Sequence, residues 1–396
     1  MLTVTMLPVA AMTGCSGGSS SGNNISGSTP AVSGFAESAA SDSNTDDTTA
    51  NDSAAEVSKE TYKDPEYTLG TTVDSGECGE DAEWELDENG LLVISGSGEM
   101  SDYGNVTNQS PWYKYFNDIK TIIVLNGITR LGDCAFYGLT YLTSVTIPNS
   151  VTDIGEWTFR SCPDLTSITI PDGVTSIGDF VFYGCQSLTN VIIPSSVTSI
   201  EKSAFEHCIG LTSITIPDSV TSIGEKAFIQ CEGLTSITIP DGVTSIGEYA
   251  FSSCTGLVNV TLPDSLTGIG QRAFIGCTAL TSITVPDSVT SIGESVFYGC
   301  TNLTNATLPN GITSIRKGMF KECTNLTSIR IPDGVTSIED YAFWGCTNLT
   351  KVAMPDSVTI IRDWTFYQCE NLTIQGKSGS YAESYAKKRG VPFTAQ

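Results

Sequence analysis

Apolar and polar residues follow one another along most of this chain in a pattern that returns every 23 residues. Read from its first apolar residue, position 1, the repeat is L-T-S-I-T-I-P-D-x-V-T-S-I-G-E-x-A-F-x-x-C-x-x. Eleven copies fill residues 119–371 without an insertion or a deletion. Such a period indicates one small unit stacked on copies of itself, because a single unit cannot bury its apolar side alone.

Each repeat combines extended and turn-forming segments. The alternation at positions 4 to 6, as in Ile168–Ile170, predicts a short strand that Pro171 ends, because proline cannot donate to the ladder of a continuing strand. The segment V-T-S-I predicts a second, shorter extended piece. A glycine and, in eight of eleven copies, an acidic residue follow, which predicts one or two helical turns carrying A-F-x-x-C.

These motifs resemble the BspA-like variant of the leucine-rich repeat, with I-P closing the strand and I-G-x-x-A-F-x-x-C further on. The resemblance implies an α/β repeat solenoid with one parallel strand per copy, short helical turns and a cap at each end. It also implies adhesion to host matrix proteins or to other cells. The ordinary leucine-rich pattern has Asn or Cys at position 9, where this chain has Ser or Gly, as in Ser219 and Gly242. No asparagine ladder is therefore expected there.

Residues 66–118 are expected to cap the array at its N-terminal side. The segment around Asn89-Gly90 has alternating apolar residues on both sides, which predicts a hairpin with a tight turn. The stretch from Gly76 to Trp112 resembles the cap that precedes BspA-like arrays.

Residues 372–396 are expected to form the C-terminal cap. Ser380 and Glu383 have the spacing of a capping box, and Lys387, Lys388 and Arg389 would fill the last turn of a short helix, which Gly390 would end.

The first 65 residues have a different composition. Residues 1–15 form an apolar run that ends at Cys15 and resembles a bacterial lipoprotein signal, which implies that Cys15 carries a lipid. Residues 16–65 are rich in Ser, Gly, Thr and Asp and predict a disordered acidic tether. We expect an extracellular protein on a bacterial surface, in contact with the membrane only through this N-terminal anchor.

The formal net charge of −25 argues against a nucleic acid partner, because a polyphosphate would be repelled. Residues 1–100 contribute 18 acidic residues against Lys59 and Lys63.

The 13 cysteines do not suggest a disulfide framework. Ten of them, Cys162 to Cys369, share position 21, and equivalent atoms of stacked strands lie ~4.8 Å apart. A disulfide needs Cβ atoms roughly 3.5–4.5 Å apart that point toward each other. We expect a buried ladder of free thiols, which would suit a reducing or anaerobic habitat.

No catalytic, cofactor or metal motif stands out. The only histidine, His207, occupies a variable position, and the sequence lacks the common hydrolase, metalloprotease and nucleotide-binding patterns. Most carboxylates repeat at position 8 or 15, where turn and helix-start chemistry explains them. We therefore expect no enzyme and no cofactor.

Positions 16 and 19 vary between copies and form what we call the turn-face stripe. Large aromatic residues there suggest a binding surface, because Trp and Tyr dominate binding hot spots. The alternative is that the rings lie over neighbouring copies as an outer core. The candidate ligand-binding residues on the stripe are Trp157, Phe180, Tyr183, Tyr249, Tyr298, Tyr341, Trp344, Trp364 and Tyr367.

The strand surface is different, because positions 3 and 5 are mostly Ser and Thr. Regular hydroxyl ranks could match a lattice-like ligand such as a sugar polymer or ice, but strand propensity and a solvated face explain them more simply. Arg330 and Lys351 bring charge to these positions and complete the set of candidate binding residues. The function expected is multivalent binding of extracellular or host matrix proteins, with carbohydrate binding by the aromatic residues as the alternative.

Overall fold

The computed structural model describes residues 63–104 and 108–396. The predicted signal segment, the lipid on Cys15 and all but the last three residues of the tether lie outside the described residues. Asp64, which we placed in the tether, accepts a hydrogen bond from the backbone of Asn126 at 2.7 Å, so contact with the array begins before residue 66. Within the described ranges, no helix has the length and hydropathy needed to cross a membrane.

The N-terminal cap is a three-stranded antiparallel sheet of Thr72–Glu77, Gly79–Asp87 and Leu91–Met100. The predicted hairpin is confirmed, with Gly90 at φ +86°, a conformation that favours glycine. A 3-10 helix, Tyr113–Tyr115, follows, and the third strand then pairs in parallel with the first strand of the array.

The predicted parallel strand occurs in every copy but one. These strands form the first ladder, each running from position 3 to position 5 except the first, which is one residue longer. Paired strands are in register, and the pairing is interrupted between Asn259–Thr261 and Ser282–Thr284 and between Asn305–Thr307 and Ser328–Arg330. The copy that begins at Leu211 has no strand at Ser213 to Thr215. The ladder comprises Thr121–Val124, Ser144–Thr146, Ser167–Thr169, Asn190–Ile192, Ser236–Thr238, Asn259–Thr261, Ser282–Thr284, Asn305–Thr307, Ser328–Arg330 and Lys351–Ala353.

A second parallel ladder runs through the V-T-S-I segments, mostly as two-residue strands at positions 12 and 13. The predicted extended piece is therefore confirmed. The strands are Ile128–Leu131, Asp153–Ile154, Ser176–Ile177, Ser199–Ile200, Ser222–Ile223, Ser245–Ile246, Gly268–Ile269, Ser291–Ile292, Ser314–Ile315, Ser337–Ile338 and Ile360–Ile361.

The predicted helical turns are wrong in detail, because residues 119–371, all of them described, contain no α-helix. The backbone N–H groups of positions 16, 18 and 20 donate instead to the next copy, as when Trp157 donates to Asp179 at 3.1 Å and Phe159 to Val181 at 3.0 Å. Positions 16 and 20 have positive φ in all eleven copies, and this conformation directs the N–H groups toward the next copy. We call this segment the turn ladder.

The core is a column of the position-18 phenylalanines, whose ring centroids lie 5.3–5.9 Å apart in adjacent copies. Beside it, each cysteine of position 21 donates its S–H to the carbonyl of the phenylalanine one copy earlier, at 3.1–3.2 Å. These ten cysteines are buried and make no disulfide, as predicted.

At position 9, where the ordinary leucine-rich pattern has asparagine, serine makes a hydrogen bond to the preceding copy. Ser219 donates its hydroxyl to the carbonyl of Val197 at 2.6 Å, and four other copies repeat this bond. A short asparagine ladder does occur, but at position 23, where Asn348 donates to Asn325 and Asn325 to Asn302 at 3.2 Å each.

The C-terminal cap contains the strand Thr373–Gly376, the helix Tyr381–Arg389 and the strand Phe393–Ala395. The predicted helix is confirmed: the Ser380 hydroxyl accepts the Glu383 N–H at 3.4 Å, and Gly390 ends the helix at φ +70°. Tyr385 packs its ring edge against Phe366 at 6.2 Å and closes the phenylalanine column.

Candidate binding surface

The turn-face stripe runs along the outside of the turn ladder. Because position 17 and the Phe of position 18 are buried in the core, the side chains of positions 16 and 19 lie on the outer side of the backbone. The stripe is interrupted where Ser203 and Ser252 are buried, and its rings are exposed to very different degrees.

At the N-terminal end of the stripe, the rings surround a cation of the protein itself. The Arg160 guanidinium carbon lies 4.0 Å from the Trp157 ring centroid, 4.3 Å from that of Tyr183 and 5.7 Å from that of Phe180. The Trp157 and Phe180 centroids are 4.6 Å apart, and all four residues are half-buried. These rings therefore form an outer core, as the alternative interpretation held.

In the middle of the stripe, cations of the protein also lie against the aromatic rings. Arg272 lies 5.4 Å from the Tyr249 ring centroid and donates to its hydroxyl. Lys321 lies between two rings, 4.8 Å from the centroid of Tyr298 and 4.6 Å from that of Trp344. Cation–π contacts of this kind hold half-buried rings against neighbouring copies.

Three rings at the C-terminal end are exposed. Trp364 is 55% exposed, Tyr367 47% and Tyr341 37%, and we call these residues the C-terminal ring patch. Trp364 and Tyr367 meet at an interplanar angle of 74° with centroids 5.2 Å apart, so they form an open corner. Trp344, another candidate ligand-binding residue, is half-buried, because Lys321 covers one side and Tyr367 stacks on it at 6.2 Å.

Arg330 and Lys351 are exposed, but they belong to strands of the first ladder rather than to the turn ladder. Arg330 pairs with Asp333 at 3.3 Å, an exposed contact that contributes little stability. The structure therefore does not bring these two residues together with the C-terminal ring patch.

Two other cations, which no repeat motif marks, lie just before the turn ladder and near the patch. Lys317 and Arg362 occupy positions 15 and 14 of their copies, and Arg362 is two residues from Trp364. Both side chains are exposed, and neither has an ion-pair partner among the described residues. The signal that could have found them is the distribution of charge along the chain rather than any repeat position.

A shallow acidic groove of about 480 Å³ lies at the other end, lined by residues that include Asp153 and Glu201. Arg130 occupies one side, where it binds Asp102 at 2.5 Å, Asp133 at 2.8 Å and Asp153 at 2.7 Å. Burial, followed by neighbouring carboxylates, raises the pKa of Asp133, and the same causes raise the pKa of Glu156.

Among the residues that the structure describes, no group of three or more His, Cys, Asp or Glu side chains is arranged to hold a metal ion. The buried thiols are not activated as nucleophiles, because burial raises the pKa of Cys185, Cys300 and Cys369 to about 12 and keeps them protonated.

The family model described as "BspA type Leucine rich repeat region (6 copies)" matches residues 109–235, 221–349 and 313–380, well over half of the chain. The chain belongs to the BspA-type leucine-rich repeat family. A search among curated proteins found no significant match. BspA-type repeats are interaction modules, and no family of enzymes is indicated for this chain.

Solved structures of bacterial leucine-rich repeat proteins are similar to this chain. A leucine-rich repeat protein from Eubacterium ventriosum is 24% identical, with a TM-score of 0.51 over 76% of this chain and 95% of that one. A leucine rich cell surface protein from Faecalibacterium prausnitzii is 26% identical, with a TM-score of 0.44 over 81% and 98%. A leucine-rich repeat protein from Bacteroides ovatus is 24% identical, with a TM-score of 0.43 over 80% and 98%. The match to the first of these supports the leucine-rich repeat solenoid fold.

Proposed function

We propose that this protein is a cell-surface adhesin that binds extracellular proteins, such as those of a host matrix, through several weak contacts along its array. The observation that carries the proposal is the C-terminal ring patch, where three aromatic side chains are exposed close together. Exposing such rings is costly unless a partner buries them, and Trp and Tyr are typical hot-spot residues. An array of repeats adds weak contacts through effective concentration.

We also propose that a lipid on Cys15 tethers the protein to a bacterial surface. The support is the sequence alone: an apolar run with small residues ahead of a cysteine, followed by an acidic Ser- and Gly-rich segment. Intact-mass measurement of the exported protein tests it. A chain that starts at Cys15 and carries added acyl mass is expected, and an unmodified chain that starts at Met1 would overturn the anchor.

Adhesion is tested with the full chain on immobilised matrix proteins. Truncating a central interface ring typically costs about 2 kcal/mol, so Trp364→Ala should weaken binding roughly thirtyfold. The melting temperature should change little, because an exposed ring contributes little to the core. Tyr141→Ala is the matched control, since that ring is 50% exposed in the first copy, far along the chain from the patch.

The control separates two outcomes. Binding that falls with Trp364→Ala and not with Tyr141→Ala supports the proposal. Equal binding by both variants and the unmodified protein would remove the C-terminal ring patch as the adhesive surface, and the Ser/Thr face of the first ladder would become the better candidate.

A further inference from the structure

Charge is distributed very unevenly along this acidic chain. Residues 311–396 contain ten basic and eight acidic residues, a net charge of +2, whereas residues 1–310 contain nine basic and 36 acidic residues. The C-terminal ring patch lies within the first of these segments. It is therefore the part of the protein from which an anionic polymer is least repelled.

The free cations of this segment lie close to the exposed rings. The Arg362 N–H donates to the carbonyl of Ile338, and the Arg362 carbonyl accepts from the Thr365 hydroxyl. The backbone of Arg362 is therefore fixed, while its side chain is exposed two residues from Trp364. Lys387 and Lys388 are exposed at the end of the C-terminal helix. That helix end is tied to the patch, because Arg389 pairs with Asp363, the neighbour of Trp364, at 2.9 Å.

From this juxtaposition we propose that the C-terminal ring patch and its flanking cations, chiefly Arg362 and Lys317, bind an anionic polysaccharide. A sugar ring has an apolar C–H face, which the open corner of Trp364 and Tyr367 can receive, and a carboxylate or sulfate on its edge pairs with the cations. The backbones of adjacent copies lie about 4.8 Å apart, and a sugar unit of an extended chain has a similar length. Successive sugars can therefore meet successive copies.

This inference rests on the C-terminal ring patch being a binding surface, as in the proposed function, and adds the chemical class of one ligand. An acidic polypeptide offers the same charges without the saturated rings, so the proposal predicts that the aromatic corner discriminates between the two. The neutral polysaccharide dextran offers the rings without the charges and should bind weakly.

The test measures binding of the full chain to heparin, hyaluronate, dextran and poly-glutamate. We expect heparin or hyaluronate to bind best, and the affinity to fall between about 0.1 M and about 0.5 M NaCl. Trp364→Ala should weaken that binding at least tenfold, and the Lys317→Gln/Arg362→Gln double variant should weaken it and flatten its salt dependence. Lys120→Gln, an exposed lysine in the first copy of the array, is the control and should bind like the unmodified protein.

Failure of this inference can be told apart from failure of the proposed function. Anionic polysaccharide binding that is unchanged in Trp364→Ala, or poly-glutamate binding that is equally strong and equally sensitive to that substitution, would overturn the polysaccharide assignment. Matrix-protein adhesion, measured on the same variants, would still decide whether the patch is adhesive.

Discussion

Each cysteine of position 21 donates its S–H to a phenylalanine carbonyl of the copy before it, and this contact explains why position 21 is cysteine. The thiol is small enough for the core, and its S–H reaches the phenylalanine carbonyl at 3.1 Å in Cys254. Burial raises the pKa of this thiol well above its ordinary value, so the reactive thiolate is not formed.

The cysteines of position 21 should therefore resist alkylation by iodoacetamide in the folded protein and react fully after unfolding in guanidinium. Intact-mass measurement of the exported protein supplies the count. Several two-dalton losses that disappear on reduction would instead show disulfides and contradict the ladder of free thiols.

The charge of Asp179 should reduce stability at neutral pH. Burial raises the pKa of this carboxyl, as do Glu201 and Glu225, so the folded state binds its proton more tightly than the unfolded state. The cost is present near pH 7 and is relieved as the pH falls through the raised pKa. Asp179→Asn keeps the acceptor for the Lys202 N–H at 2.9 Å, so it should raise the melting temperature at about pH 7 and change it little at about pH 3.

Asp87→Asn is the control with the opposite sign. Burial acts to raise the pKa of Asp87, but hydrogen bonds from Gly70, Leu91 and Asn89 outweigh it and lower the pKa. This carboxylate therefore stabilises the fold above its unfolded pKa of about 3.9, and the benefit is lost as the pH falls through the lowered value. Melting curves against pH that shift in the same direction for both variants would contradict the assignment.

At the scale of the structural element, the turn ladder depends on a backbone conformation that L-residues disfavour. Ser295 has φ +56° and donates its N–H to Lys317 at 2.9 Å. A β-branched side chain fits this conformation poorly, so Ser295→Val should cost about 1 kcal/mol or more. Ser295→Gly should be tolerated, since Gly318 holds the same place in the next copy.

Urea unfolding measures both changes. Ser291→Val, on the second ladder, is the matched control, because a β-branched residue suits a strand. If Ser295→Val and Ser291→Val had equal effects, the positive φ would not govern the choice of residue at position 16.

The two strand ladders could be predicted from the sequence because their signal is local: I-T-I alternates and Pro171 ends the strand. The turn ladder could not. Trp157 and Lys226 are residues that a local reading places in a helix, yet both have positive φ, at +63° and +58°. Hydrogen bonds between copies impose that conformation, and a single copy gives no sign of them.

The candidate surface was only partly predictable for the same reason. Trp344 and Trp364 both belong to the turn-face stripe, at positions 19 and 16 of adjacent copies, yet one is half-buried and the other exposed. The difference comes from their neighbours across copies, since Lys321 covers the first and no equivalent side chain covers the second. Position in the repeat identifies which residues belong to the stripe, but stacking between copies decides which of them are free to bind.

At the scale of the whole molecule, stability should be the sum of contacts between neighbouring copies. The C-terminal cap contributes one such interface, in which Tyr385 covers Phe366 and the strand Phe393–Ala395 pairs with Thr373–Gly376. Truncation after Gly376 would expose the end of the phenylalanine column. We expect hydrogen exchange to rise in the last two or three copies while copies near Phe228 keep their protection.

Two single substitutions in the C-terminal helix distinguish the loss of capping from a general effect of altering that helix. Tyr385→Ala removes the buried ring and should reproduce part of the C-terminal fraying, whereas Tyr381→Ala, 41% exposed on the same helix, should not. Because the C-terminal ring patch lies in the copies that fray, Tyr385→Ala should also weaken ligand binding without touching the patch. Hydrogen exchange that rises equally along residues 119–371 would show instead that the array unfolds as one cooperative unit.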